Sequence, residues 1–329
     1  MSATTVQKDT LLEVRDLRVV YREEGRFVPI VDGVSFSLRR GEALGLAGES
    51  GCGKTTTALA LLGLLPSGLG RTRGEITINS TRGVMFLHRR TPTGWRDVRW
   101  KTVSMVFQGA MNALDPVMRI DRQIAEAIHL HEPGANADAR VSELLERVGI
   151  PRARRRQYPH EFSGGMRQRV MIALALACGP ELMIGDEPTT ALDVMTQGQI
   201  LQLLEELRRD LGLALLLITH DLSVIAETCD RVAVMYAGQI VEMGPVREVL
   251  ASPQHPYTGR LRSGFTHVGG PRELGEAIPG SPPNPGEEFS GCRFAPRCHL
   301  AFDECVKGPP PLLVDHTGRE ARCLLAKLP

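Results

Sequence analysis

Gly48-Glu49-Ser50-Gly51-Cys52-Gly53-Lys54-Thr55 sets three glycines, a lysine and a hydroxyl within eight residues. Glycines let a backbone curl until its N–H groups face one anion. A helix that follows offers its positive end to the same anion. Lys54 is then placed to reach β- and γ-phosphate oxygens, and Thr55, with Thr56 beside it, to offer a hydroxyl to Mg²⁺. The chemistry on offer is triphosphate binding. The side chain of Cys52 has no required part in it. The plainer alternative is a glycine turn with an exposed lysine, and the apolar segment Ala43–Ala47 just upstream argues against it.

A second cluster could act on what the first one binds. Leu182-Met183-Ile184-Gly185-Asp186-Glu187 is an apolar strand ending in two acids. Asp186 could hold the magnesium, and Glu187 could orient or deprotonate an attacking water, a role worth about 10²–10⁴ in rate. Elsewhere such a pair is a solvated turn. Ser163-Gly164-Gly165 begins a helix, and locally an ordinary cap is the better reading. His220 ends an apolar strand, where a histidine is usually structural. Tyr21 is either a strand-end packing residue or a ring for stacking a base, a contact worth about 1–3 kcal/mol. Arg152, Arg154, Arg155 and Arg156 read as a solvated face, since no aromatic residue interleaves with them.

These side chains need a scaffold. Leu11–Tyr21 and Val28–Leu38 read as strands with a turn between them. Ala43–Ala47, Gly74–Asn79, Val103–Phe107, Leu182–Ile184 and Ala214–Thr219 are further strands. Thr56–Leu65 reads as a helix stopped by Pro66, which completes the strand-loop-helix context of a phosphate loop. About 109–165 reads as a helical insertion, with apolar residues at helical spacing. Arg231–Tyr236 and Gln239–Met243 form a hairpin through Ala237-Gly238. Gly269, Gly270, Pro271, Pro279, Gly280, Pro282, Pro283 and Pro285 mark a linker.

The chain has 329 residues, 42% hydrophobic and 23% charged, with net charge +1. It can bury a large core and is expected to hold more than one domain. So balanced a charge gives no reason to expect nucleic acid. No apolar run approaches bilayer length and Met1–Thr10 has no apolar signal core, so a cytoplasmic protein is expected, with any membrane role through a partner.

Four of the seven cysteines, Cys292, Cys298, Cys305 and Cys323, fall in the last 38 residues. In a reducing compartment clustered thiols suggest a metal. The spacing lacks a paired zinc knuckle and suits a cubane cluster fed from separate loops. Zinc, with His299 or His316 as a substitute ligand, and free thiols are the alternatives. The tail from 266 to 329 is expected to be a separate small module.

In this order, the phosphate loop, Gln108, Phe162-Ser163-Gly164-Gly165-Met166, Leu182–Glu187, Ala191-Leu192-Asp193 and His220 resemble the ATPase subunits of ABC transporters. Pro253-Gln254-His255-Pro256-Tyr257-Thr258 and Gly291-Cys292-Arg293-Phe294-Ala295-Pro296-Arg297-Cys298 resemble the C-terminal extension of the oligopeptide and dipeptide branch. The resemblance implies an α/β fold: a RecA-like parallel-sheet core, an antiparallel β subdomain and a helical subdomain over residues 1–265, then a loop-rich cysteine module over 266–329. It implies that Gln108 lies near the metal and the attacking water, so that Thr55, Gln108 and Asp186 surround Mg²⁺, and that His220 contacts the γ-phosphate. Ser163, Gly164 and Gly165 would serve ATP held by an opposing subunit, and Asp193 would belong to the nucleotide-binding residues. Met166 departs from the usual glutamine. The resemblance also implies a [4Fe–4S] cluster on the four cysteines. The partners would be a second, homologous ATPase chain, two membrane permeases and an extracellular substrate-binding protein, with this chain on the cytoplasmic face of the membrane. Importers of nickel chelates or glutathione, and a soluble ATPase acting on nucleic acid or translation, are the alternatives.

Overall fold

The computed structural model describes residues 9–328 apart from 24, 67–69, 92, 110–112 and 265–277. Its strands are β1 (Thr10–Glu23), β2 (Arg26–Arg39), β3 (Ala43–Ala47), β4 (Gly70–Ser80), β5 (Gly83–Phe86), β6 (Val103–Val106), β7 (Leu182–Asp186), β8 (Ala214–Thr219), β9 (Arg231–Tyr236), β10 (Gln239–Pro245), β11 (Leu313–Val314) and β12 (Glu320–Ala321). Its α-helices are α1 (Lys54–Leu61), α2 (Ile120–His131), α3 (Ala137–Arg147), α4 (Gly164–Ala175), α5 (Val194–Leu211), α6 (Leu222–Thr228), α7 (Val246–Ala251) and α8 (Pro256–Ser263). Every residue of β3, β7 and β8 is buried. Such unbroken apolar runs are what parallel strands covered on both faces require. The fold is α/β, with parallel and antiparallel strand pairs.

The chain divides into two compact units whose segments interleave. The first comprises Met1–Leu11, Leu38–Glu42 and Ile78–Leu216. In it β6 and β7 pair in parallel, in register from Val103↔Leu182 to Val106↔Gly185, and the start of β8 follows beside β7. The α2 helix buries Ile120, Ile124, Ala127 and Ile128, while α3 buries Val141, Leu144 and Leu145. Both pack with α4. The helical insertion expected over about 109–165 therefore runs on through α4, because α4 supplies the third wall of the apolar interior that α2 and α3 need.

The second unit comprises Leu12–Ser37, Ala43–Thr77 and Leu217–Pro329. One of its sheets has the neighbour order β2-β1-β4 and the other β11-β12-β10-β9-β3. β3 and β9 are parallel, and β9 and β10 form the expected hairpin. Its turn residues Ala237 and Gly238 both have positive φ (46° and 83°), as a two-residue loop matching strand twist requires. The core beneath gathers Ile225, Val232, Val234, Tyr236, Val249, Tyr257 and Phe294.

The structure corrects the sequence reading in two further places. α1 starts at Lys54 and ends at Leu61, four residues short of the expected stop. Gly63 at φ 59° lets the chain turn back, and the N–H groups of Gly63 and Leu64 donate to the carbonyls of Ala60 and Leu59. The cysteine-bearing tail is not a separate compact unit. β12 adds to β10 antiparallel, Phe294 enters the core, and the fully buried Glu242 on β10 pairs with Arg319 of the tail at 2.9 Å. A carboxylate so buried needs a cation, and the tail carries it. The linker glycines Gly269 and Gly270, Pro271 and the expected boundary at 265/266 lie outside the described residues.

Candidate functional site

The phosphate loop sits in the second unit, between β3 and α1. Gly48, Gly51 and Gly53 have φ of 151°, 81° and 106°. At Gly48 a Cβ would lie 2.2 Å from the Met235 carbonyl oxygen, and at Gly53 2.9 Å from that of Ile30. Backbone cannot yield as a side chain does, so both positions demand glycine. Gly53 is also the N-cap of α1. Lys54 is buried, and its ammonium donates to the carbonyls of Gly48 and Glu49 at 2.7 and 2.8 Å. Ser50, Gly51 and Thr55 are exposed, Glu49 and Thr56 half-buried. Cys52 is buried, and that burial pushes its thiol pKa up. A cavity of about 650 Å³ lies beside Gly51, walled by Phe27, Ile30, the Ala237-Gly238 turn and Pro283–Phe289. Tyr21 is half-buried on β1, its ring edge against Gly70. His220 is exposed just past the end of β8.

The acids lie in the first unit. Asp186 ends β7 with only 1% of its surface exposed, and Glu187 follows at φ 47°. Positive φ at a residue that is not glycine is strain that the surroundings must hold. Here Gln108 Nε2 donates to Glu187 Oε2 at 2.9 Å and the Thr190 hydroxyl to the same oxygen at 3.0 Å. Two residues 79 apart in sequence are thus hydrogen-bonded, and Gln108, which carries no sequence signal alone, finds its partner in the candidate base.

The same unit joins the other two motifs. The Ser163 side chain caps α4 by accepting the Met166 N–H, and Asp193 caps α5 by accepting the N–H and hydroxyl of Thr196 at 2.9 and 2.7 Å. Thr196 is also the residue a Cβ at Gly165 would strike, 2.5 Å from its methyl. Gly164 is the first residue of α4. Gly165 and Asp193 therefore meet through one threonine.

Profiles of known families find both halves of this pattern. The ABC transporter family matches residues 31–190, and the oligopeptide/dipeptide transporter C-terminal region matches 241–305. The oligopeptide transport ATP-binding protein AppD of Bacillus subtilis is 44% identical over 321 residues, 96% of this chain and 97% of that protein. This chain belongs to the oligopeptide/dipeptide-type ABC transporter ATP-binding family. OppD of Escherichia coli, an oligopeptide transport ATP-binding protein, is 46% identical over 92% of this chain and 90% of its own length. Among solved structures the ABC transporter cassette MJ0796, a dimer, matches with a TM-score of 0.63 at 25% identity, covering 72% of this chain and 99% of that one. As a member of this family the chain is an ATPase coupled to transport.

Within this ABC ATPase the signature has a support that the sequence reading missed. Arg154, read as part of a solvated run, places its guanidinium 4.8 Å from the Phe162 ring centre and donates to the Glu161 carbonyl and the Met166 sulfur. Its neighbours fit the bland reading better: Arg152 pairs with Glu146 at the surface.

The expected metal ligands of the tail are not assembled. Among the described residues no three of His, Cys, Asp or Glu are grouped to hold a metal. Cys292, Cys298, Cys305 and Cys323 do line one cavity, but its volume is about 20 Å³, space for about one water and not for a cubane. Burial pushes the thiols of Cys292, Cys298 and Cys323 up, against N–H groups donated two residues on by Phe294, Leu300 and Leu325. As the chain stands, neither a [4Fe–4S] cluster nor zinc fits.

Proposed function

We propose that this chain binds and hydrolyses ATP to power import of di- or oligopeptides through a membrane ABC transporter. The observation that carries the ATP reading is the strand-loop-helix of residues 43–61, with Lys54 already held at the mouth of the loop by two carbonyls. The peptide reading rests on the C-terminal region match and on the naming of the relatives. In this reading the loop amides and Lys54 grip the phosphates and Tyr21 stacks the base. Thr55, Gln108 and Asp186 surround Mg²⁺, which supplies charge neutralisation on the phosphates when bound. A carboxylate buried as Asp186 is suits a divalent cation. Glu187, aimed by Gln108 and Thr190, orients the attacking water and takes its proton, and His220 senses the γ-phosphate.

Ser163, Gly164 and Gly165 complete the site of an opposing, homologous subunit, so turnover needs a dimer, and Asp193 takes part in binding the nucleotide. Two permeases and an extracellular binding protein finish the assembly, with this chain on the cytoplasmic face of the membrane. No helix among the described residues is long and apolar enough to cross a bilayer, which agrees with an attached subunit. Affinity capture from detergent-solubilised membranes tests the assembly. Two multi-span proteins and a second ATPase are expected, and recovery of ribosomal or nucleic-acid proteins alone would overturn it. Lys54→Ala tests the site, and unchanged Mg-ATP affinity would contradict its role.

A metal group on the four tail cysteines is retained as a proposal on one pattern, the N–H donors two residues past three of the sulfurs, which stabilise thiolates. Anaerobically purified protein lacking iron, sulfide and zinc would end this reading.

A further inference from the structure

We propose that Arg297 and Arg293 are positioning residues for the phosphate loop, so that the C-terminal extension sets nucleotide affinity. This rests on the ATPase reading above. Glu49 occupies a position where the loop itself needs no particular side chain, yet all of its polar groups are engaged. Its carboxylate takes two hydrogen bonds from Arg297, at 2.7 and 3.0 Å. Its N–H donates to the Tyr257 hydroxyl at 2.9 Å, and its carbonyl accepts from the Lys54 ammonium at 2.8 Å. Arg297 is in turn immobilised. Its side chain is 8% exposed, and it also donates to the carbonyls of Pro279 and Gly280 and to the Tyr236 hydroxyl. A forked, desolvated arginine–carboxylate pair holds direction as well as distance. The path from Arg297 through Glu49 ends on the ammonium that meets the phosphates.

A second path runs parallel to it. Arg293 donates to the Ala237 carbonyl at 2.6 Å and pairs with Asp32. The next residue, Gly238, donates its N–H to the Cys52 carbonyl of the loop at 2.9 Å. Between the two arginines Phe294 is buried, its ring 5.2 Å from that of Tyr236 and 5.3 Å from that of Tyr257. One buried ring therefore anchors two cations four residues apart, and each reaches the loop by its own route.

The test uses the full-length chain, measuring the Kd for Mg-ATP and the thermal midpoint together. Arg297→Gln is expected to weaken Mg-ATP about tenfold, Glu49→Gln by less, and the double variant no more than Arg297→Gln alone, as coupled neighbours behave. Arg297→Lys should recover part of the loss. Arg40→Gln breaks the Arg40–Glu181 pair of the other unit (2.6 Å) and should lower the midpoint while leaving the Kd unchanged. If Arg297→Gln does not fold, Glu49→Gln, at a half-buried position, decides the matter. A wild-type chain that binds Mg-ATP alongside folded Arg297→Gln and Glu49→Gln chains of equal affinity overturns the brace alone. A wild-type chain that does not bind overturns the ATPase reading and the brace with it.

Discussion

The glycines of the phosphate loop and those of the signature are tight for different reasons. Gly48 and Gly53 press against backbone oxygens of Met235 and Ile30, while Gly165 presses against the methyl of Thr196. The loop also has its lysine buried and bonded in place, whereas the Ser163, Gln108 and Asp193 side chains are exposed, bonded to Met166, Glu187 and Thr196. The phosphate-binding half is finished within one chain. The stretch that carries Gln108, Ser163 and Asp193 leaves those side chains at the surface.

The largest test of this contrast is Glu187→Gln. Turnover should fall by about 10²–10⁴ while Mg-ATP affinity is retained, as followed by phosphate release and nucleotide titration. Lost affinity would show that the two halves are not separable. Next is acid stability on the finished side. Burial lowers the pKa of His255, whose ring accepts the Tyr257 N–H, from 6.5 to about 4. The native state therefore binds fewer protons than the unfolded chain between those values. Stability from this group is complete above pH 6.5 and is lost as pH falls toward 4, by up to about 3 kcal/mol. Urea midpoints should decline over that window in the wild type and decline less in His255→Asn. A wild-type midpoint flat across it would contradict a neutral buried imidazole.

The glycines themselves give a matched pair. Gly165→Ala should cost about 1–3 kcal/mol, and Thr196→Ser, which removes the obstructing methyl, should restore most of it. Gly48→Ala should abolish nucleotide binding with no such side-chain rescue, since the obstruction is a carbonyl. A rescued Gly48→Ala or an unrescued Gly165→Ala would erase the distinction. Smallest is Asp193→Ala, which removes the α5 cap and should lower stability by about 1 kcal/mol in thermal melts.

Much of this was legible in the residues. β3, β8 and β9 fall where unbroken apolar runs and turn signals put them, because burial on both faces writes itself into a contiguous string. The hairpin at Ala237-Gly238 was legible for the same local reason. What was not legible is pairing at long range. Arg297 and Glu49 are 248 residues apart and Arg319 and Glu242 are 77 apart, and neither pair leaves a periodic trace. Arg154 hid inside an arginine run that also holds the exposed Arg152 and Arg156. The tail looked independent because it is loop-rich and leaves Leu300, Phe302 and Val306 exposed, but Phe294 is committed to a core built by residues far upstream.

The buried Glu242–Arg319 pair bears on how the chain is made. A ribosome works from the N-terminus at about 5–20 residues per second, so the carboxylate precedes its cation by about 4–15 s. Until Arg319 emerges, the buried Glu242 carboxylate has no cation beside it, only the N–H groups of Gln254 and His255. Completion of the β10–β12 edge is thereby tied to the arrival of Arg319.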